Sequence, residues 1–135
     1  MKITIQSIIK ADIKKVWDYY TVPEHITKWN FASEDWCCPA AENDLRIGGK
    51  YKARMEAKDK SFGFDFEATY NEISIGEKFK YTLEDQREVS VSFENLGEQS
   101  KIVVTFDAET ENSEEMQKNG WQSILDNFKK YVEKN

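Results

Sequence analysis

The sequence predicts an α+β domain: a curved antiparallel sheet of six to seven strands wrapped around a long C-terminal helix, with two short helices after the first strand. Three observations carry that expectation. Apolar and polar residues alternate through five consecutive runs between Arg46 and Asp107. A wide apolar stripe at helical spacing fills residues 112–134. The chain, at 135 residues, has the size of one domain that buries roughly two thirds of the surface its unfolded form exposes.

Residues 2–10, "KITIQSIIK", place Ile3, Ile5 and Ile9 on one face, the signature of a half-buried strand. Asp12 is then positioned as an N-cap, and Ile13, Val16, Trp17 and Tyr20 fall on one stripe of an amphipathic helix. Thr21 and Glu24 have capping-box spacing, and Pro23 suits a helix's first turn, so a second short helix is expected over 23–29.

The period then changes to two. Tyr51, Ala53, Met55 and Ala57 share a face, as do Phe62, Phe64, Phe66, Ala68 and Tyr70. The pattern recurs with Phe79, Tyr81 and Leu83, with Val89, Val91 and Phe93, and with Ile102, Val104 and Phe106. Turn residues at 58–60, 76–77, 84–85 and 95–97 separate the runs. Five strands with short turns make an antiparallel meander, apolar on one face and wet on the other. A short seventh strand is expected near 42–48. The closing helix is expected to start from Asn112, with Glu115 completing a capping box, and to carry Met116, Gly120, Trp121, Ile124, Leu125, Phe128, Tyr131 and Val132 on its apolar side. It is the one long element available to cover the sheet.

Composition narrows the function classes. A net charge of −6 disfavours sequence-independent nucleic-acid binding, which needs Lys and Arg to neutralise phosphates, and disfavours anchoring on an anionic membrane. No apolar run approaches the roughly 18 residues of a spanning helix. "MKITIQSIIKAD" is too short and too polar for a signal peptide. The cysteines, Cys37 and Cys38, are adjacent and unsuited to bridging each other. A cytoplasmic location is the expectation.

Several local strings, "ADIKKVWDYYTVPEHITKW" (11–29), "RIGGKYKARMEAKD" (46–59), "FGFDFEATYNEI" (62–73) and "GWQSILDNFKKYVE" (120–133), occur in an order that resembles the activator of heat-shock-protein-90 ATPase homologue-like family. That family belongs to the START-like (SRPBCC), helix-grip superfamily. The resemblance implies the helix-grip fold over the whole chain, residues 1–135. It also implies a container: many superfamily members bind lipids, hormones or aromatic polyketides between helix and sheet, and a minority are cyclases or dehydratases. The eukaryotic co-chaperone behind the family name carries an additional N-terminal domain with no counterpart in these residues. A chaperone partner or a stress-response role is therefore implied by the name alone.

Chemistry-bearing clusters are sparse. One His and two adjacent Cys without CxxC or HxxxH spacing do not make a metal site, and no cofactor is expected. Cys37 or Cys38 with His25 is the single nucleophile–base pair on offer, and its spacing fits no signature. Gly48-Gly49 lacks the context of a phosphate loop and reads as a bend in the sheet. By parity the inward polar groups are Ser7 and the hydroxyls of Tyr51, Tyr70 and Tyr81, while every charged strand residue faces outward. That disfavours acid–base catalysis, which needs an ionisable group at the substrate. Loop residues such as Glu42 or Asp44 are the exceptions that could reach inward. The acidic run 107–115 reads as a solvated turn and helix start.

The stretch "VPEHITKWNFASEDWCCP" (22–39) concentrates His25, Trp29, Phe31, Trp36 and both cysteines. It reads as a lid over a pocket between sheet and helix. Met55, Phe64, Phe66, Tyr70, Phe79, Tyr81 and Phe93 would form the sheet wall, and Trp121, beside Gly120, would close it from the helix. His25, Tyr51 and Tyr81 are the candidate polar handles. The expected function is non-enzymatic binding of a hydrophobic or aromatic small molecule. A cyclase- or dehydratase-like enzyme and a protein-interaction module are the alternatives.

Overall fold

Short turns leave successive strands little choice but to pair with their sequence neighbours, and the strand order records this. A computed structural model, describing residues 1–135, shows β1 (Lys2–Ile9), α1 (Ile13–Thr21), α2 (Pro23–Trp29) and β2 (Trp36–Asn43). They are followed by β3 (Lys50–Ala57), β4 (Gly63–Ser74), β5 (Lys78–Leu83), β6 (Glu88–Asn95), β7 (Ser100–Asp107) and α3 (Glu114–Lys134). The seven strands form one antiparallel sheet in the order β1-β7-β6-β5-β4-β3-β2, curled around α3. β1 joins beside the last strand, pairing Lys2 with Asp107 through Ile9 with Ser100. No helix is long and apolar enough to cross a membrane.

The alternation works as physical chemistry requires: Ile3, Ile5, Ile9, Val89, Val91, Ile102, Val104 and Phe106 are all buried under the helices. From α3, Leu125, Phe128 and Val132 enter the same core at 3%, 0% and 0% exposure, each worth about 1.5–3 kcal/mol of burial. Along its length α3 also attends to the outer rim of β1. Gln122 Nε2 donates to the Gln6 carbonyl at 3.3 Å, and Lys129 Nζ donates to the Ile8 carbonyl.

Four details differ from the sequence reading. The seventh strand lies at 36–43 rather than 42–48, so both cysteines are in a strand. Its pairing with β3 slips between Cys37 and Ala40, and Pro39, which has no N–H to offer, sits inside that irregularity on an edge strand. The cap of α3 is Ser113, whose hydroxyl accepts from the Met116 N–H at 3.1 Å, one residue beyond Asn112. α2 begins without a side-chain cap: Thr21 ends α1 and donates its hydroxyl to Trp17 O at 2.8 Å, leaving Val22 at the cap and Pro23 in the first turn. Parity fails at the start of β4, where Phe62 and Phe64 are 63% and 43% exposed. There the β3–β4 hairpin runs past the end of β5, whose pairing with β4 begins only at Ala68.

The two central glycines do different work. Gly49 opens the β3–β4 ladder, where Tyr70 N–H donates to its carbonyl at 3.0 Å, and a Cβ there would collide with the Asp44 carbonyl oxygen. Gly120, in the first half of α3, has only open space where a Cβ would sit. Its lack of a side chain is thus unneeded for packing. Gly120→Ala is expected to stabilise the fold by about 1 kcal/mol, the helix-propensity difference between the two residues, read as a rise of a few degrees in the thermal midpoint.

Candidate functional site

Between the sheet and α3 lies a cavity of about 310 Å³. Ile5, Val104 and Met55 form its sheet side, and Trp121, Ile124 and Leu125 its helix side. The curl of the sheet supplies one wall and the apolar stripe of α3 the other, while α1 and α2 plug the far end with Tyr20 and Trp29. Trp29 is 2% exposed and its indole N–H is spent on the Tyr19 carbonyl at 2.9 Å. Trp121 stacks flat on Phe106, with ring centroids 4.0 Å apart and planes 10° off parallel.

The inner end is polar but uncharged. Asn30, Tyr51 and Tyr81 are 8%, 4% and 5% exposed and all face the cavity. Asn30 Nδ2 donates to Tyr51 Oη at 3.2 Å. Burial, reinforced by the neighbouring phenols, pushes Tyr20, Tyr51 and Tyr81 well above the ordinary tyrosine range. They remain hydroxyls at any physiological pH.

The charged groups are at the mouth, in connections rather than strands. Arg87 precedes β6 and Glu109 follows β7, two segments tied together where Glu88 N–H donates to Asp107 Oδ2 at 2.8 Å. Both side chains are engaged. Arg87 Nε donates to Asp85 Oδ2 at 2.7 Å, and Glu109 Oε1 accepts from the Asn112 N–H at 2.7 Å. Gln117, 8% exposed, fastens this rim by bonding the Glu109 N–H (2.8 Å), the Glu109 carbonyl (3.1 Å) and the Asn112 carbonyl (2.9 Å).

Of the residues singled out from sequence, Trp29, Tyr51, Met55, Phe66, Tyr81 and Trp121 line this cavity, with Phe64 at its mouth. The others do not reach it. His25, on α2, packs its ring against Tyr19 of α1, stacked at 3.9 Å, and shares a 2.7 Å hydrogen bond between its Nδ1 and Tyr131 Oη of α3. Tyr70 donates its hydroxyl to Asn43 Oδ1 at 2.7 Å, and Phe79 and Phe93 pack on Trp17 under α1. Trp36 sits against Phe62 and Phe64 at the β3–β4 hairpin, and Phe31 is half-buried in the turn after α2. The stretch 22–39 is therefore woven in as α2 and β2 rather than laid over the pocket as a lid. Arg87 and Glu109, not Glu42 or Asp44, are the ionisable groups that approach the cavity. Tyr20, Asn30 and Gln117 also line the cavity; of these the sequence pattern marks Tyr20, on the predicted stripe of α1, and carries no signal for Asn30 or Gln117.

The thiols are not paired with His25. Cys38 is 3% exposed, and burial pushes its thiol up to about 11, while Cys37 is half-buried on the same strand. A thiol as buried as that of Cys38 is a small hydrophobe rather than a nucleophile. At pH 8 the native protein should take up one equivalent of iodoacetamide, at Cys37, and the second only after unfolding or as the pH approaches 11. Equal reaction of both at pH 8 would contradict the placement of Cys38. No three His, Cys, Asp or Glu side chains come together as a cation cluster.

A curled antiparallel sheet closed over a long C-terminal helix, with a cavity between them, defines a helix-grip protein. The sequence profile described as "Activator of Hsp90 ATPase homolog 1-like protein" matches residues 10–133, and the chain belongs to that family. Among solved structures, the AHSA1-like protein from Aeromonas hydrophila is 41% identical with a TM-score of 0.93, the match covering 99% of this chain and 93% of that one. A protein from Cytophaga hutchinsonii is 44% identical with a TM-score of 0.85 at the same coverage. One from Chromobacterium violaceum, at 23% identity, shares the fold with a TM-score of 0.87 over 98% of both chains. No curated protein matches the chain.

Proposed function

We propose that this protein binds an apolar or aromatic small molecule between its sheet and α3, without transforming it. The observation that carries the reading is the cavity itself: about 310 Å³, with twelve of its seventeen lining residues hydrophobic. Concave, mostly apolar sites with a few convergent polar groups are the usual home of small ligands. Catalysis is the weaker reading. A general acid or base works best with a pKa near the operating pH, whereas the phenols inside are held protonated. Glu109, the one carboxylate at the cavity, already accepts a backbone N–H. The role is assigned to a reducing, cytoplasmic setting, supported by two unpaired thiols.

The test uses the indoles already present, because Trp29 and Trp121 line the cavity. Titration with fatty acids, sterols, flavonoids and polyketide-like aromatics should change tryptophan fluorescence for at least one class. The same compound should raise the thermal midpoint, since a ligand at a hundred times its Kd adds about 2.7 kcal/mol. Ile124→Phe, which places a ring in the void, should abolish both responses while the protein stays folded. No response across the panel would overturn the proposal.

A further inference from the structure

The polar atoms at the inner end of the cavity are arranged as if to meet a particular chemical group. The hydroxyls of Tyr20 and Tyr81 bond to nothing in the protein, yet no polar side-chain atom sealed from solvent lacks a partner. Each hydroxyl therefore keeps accessible surface, and both side chains line the cavity. Asn30 gives one Nδ2 hydrogen to Tyr51 Oη, which leaves the Asn30 oxygen as an acceptor and the Tyr51 proton as a donor. The inner end thus offers several O–H donors and one amide acceptor, on side chains that are mostly more than nine-tenths buried. Buried polar groups left unmet cost roughly 1–3 kcal/mol each, so a wholly apolar occupant would leave this end unsatisfied.

We infer that the occupant is a neutral, hydroxyl-bearing aromatic molecule about two rings in size, its hydroxyl seated among Tyr20, Asn30, Tyr51 and Tyr81. The inference rests on the container reading above and narrows it. Size follows from volume: a cavity of about 150 Å³ holds one benzene, so 310 Å³ suits two rings. Neutrality follows from the charges. No cation faces the inner end; Arg87 is at the mouth and engaged by Asp85. A carboxylate carried inward would lose its hydration with no counter-charge to replace it. A hydroxyl is favoured over a carbonyl because it both accepts from a phenol and donates to the Asn30 oxygen.

Three probes of equal skeleton separate these claims: 2-naphthol, naphthalene and 2-naphthoate, titrated into the full chain at pH 7 and followed by tryptophan fluorescence and thermal shift. The expected result is 2-naphthol binding about tenfold tighter than naphthalene, the size of one net hydrogen bond, with 2-naphthoate weakest. Tyr81→Phe should lower the affinity for 2-naphthol toward that for naphthalene and leave naphthalene unchanged. Tyr20→Phe gives the same readout should the first variant fold poorly. Naphthalene binding as tightly as 2-naphthol, or 2-naphthoate binding tightest, would overturn the inference while leaving the container reading standing. Failure of all three probes would overturn the inference too; the container reading falls only if the broader ligand panel is silent as well.

Discussion

Alkali should unfold this protein steeply once the pH passes about 10. Tyr20, Tyr51, Tyr70 and Tyr81 are held above the ordinary tyrosine value of 10.0, chiefly by burial. In the unfolded chain the same phenols ionise near that value. Above it the unfolded state binds fewer protons than the native state, so stability falls as pH rises. Each such group contributes about 1.4 kcal/mol per pH unit. Four together give about 5.5 kcal/mol per unit, against a typical total stability of about 5–15 kcal/mol. Cys38 adds a smaller loss that begins lower, between its ordinary 9.0 and about 11. Below pH 9 these terms are fully present and stability is flat with respect to them. The measurement is circular dichroism alongside absorbance at 295 nm from pH 8 to 12. Most of the tyrosinate signal should rise together with loss of structure. Smooth ionisation of these phenols near pH 10 in a folded protein would contradict their burial.

Phe128→Ala should be the most damaging single truncation in α3, costing about 3–5 kcal/mol. The ring is 0% exposed and meets Trp29 and Tyr20 edge-on, with centroids 4.9 and 5.0 Å away. Those two rings form the closed end of the cavity, so the substitution removes the support behind them as well as its own buried area. Denaturant titration should show a lower midpoint with an unchanged slope. Met116→Ala on the same helix, at a position 62% exposed, should fall within about 0.5 kcal/mol of the parent. Equal behaviour of the two variants would mean that α3 is not gripped as described.

Wherever one face of an element is covered along its whole length, the sequence reading and the structure agree. The alternation in β3, β5, β6 and β7 and the stripe of α3 from Trp121 to Val132 are direct records of burial, whereas Met116, ahead of the covered part of the helix, is exposed. β2 carries no such record. "WCCPAAEN" buries only Cys38, is part-exposed elsewhere on both faces and is interrupted at Pro39, so nothing periodic marks it. Phe62 and Phe64 mislead for the opposite reason: they keep the period, but the hairpin that carries them extends past the cover. The cavity was legible in its walls and not in its rim. Tyr51, Tyr81 and Trp121 follow from parity and stripe, whereas Arg87, Glu109 and Asn112 come from connections, whose course no periodicity encodes. His25 illustrates a further limit, because its partner Tyr131 is 106 positions away in the chain.

The two rims of the open sheet have a consequence for self-association. An unpaired strand edge invites another chain to add to it, which is the route to fibrils and swapped dimers. On β1 that invitation is withdrawn by side chains of α3, which occupy the Gln6 and Ile8 carbonyls. On β2 the kinked register around Pro39 spoils the template itself. A sheet that never closes into a barrel is thereby blunted at both rims as a template for strand addition.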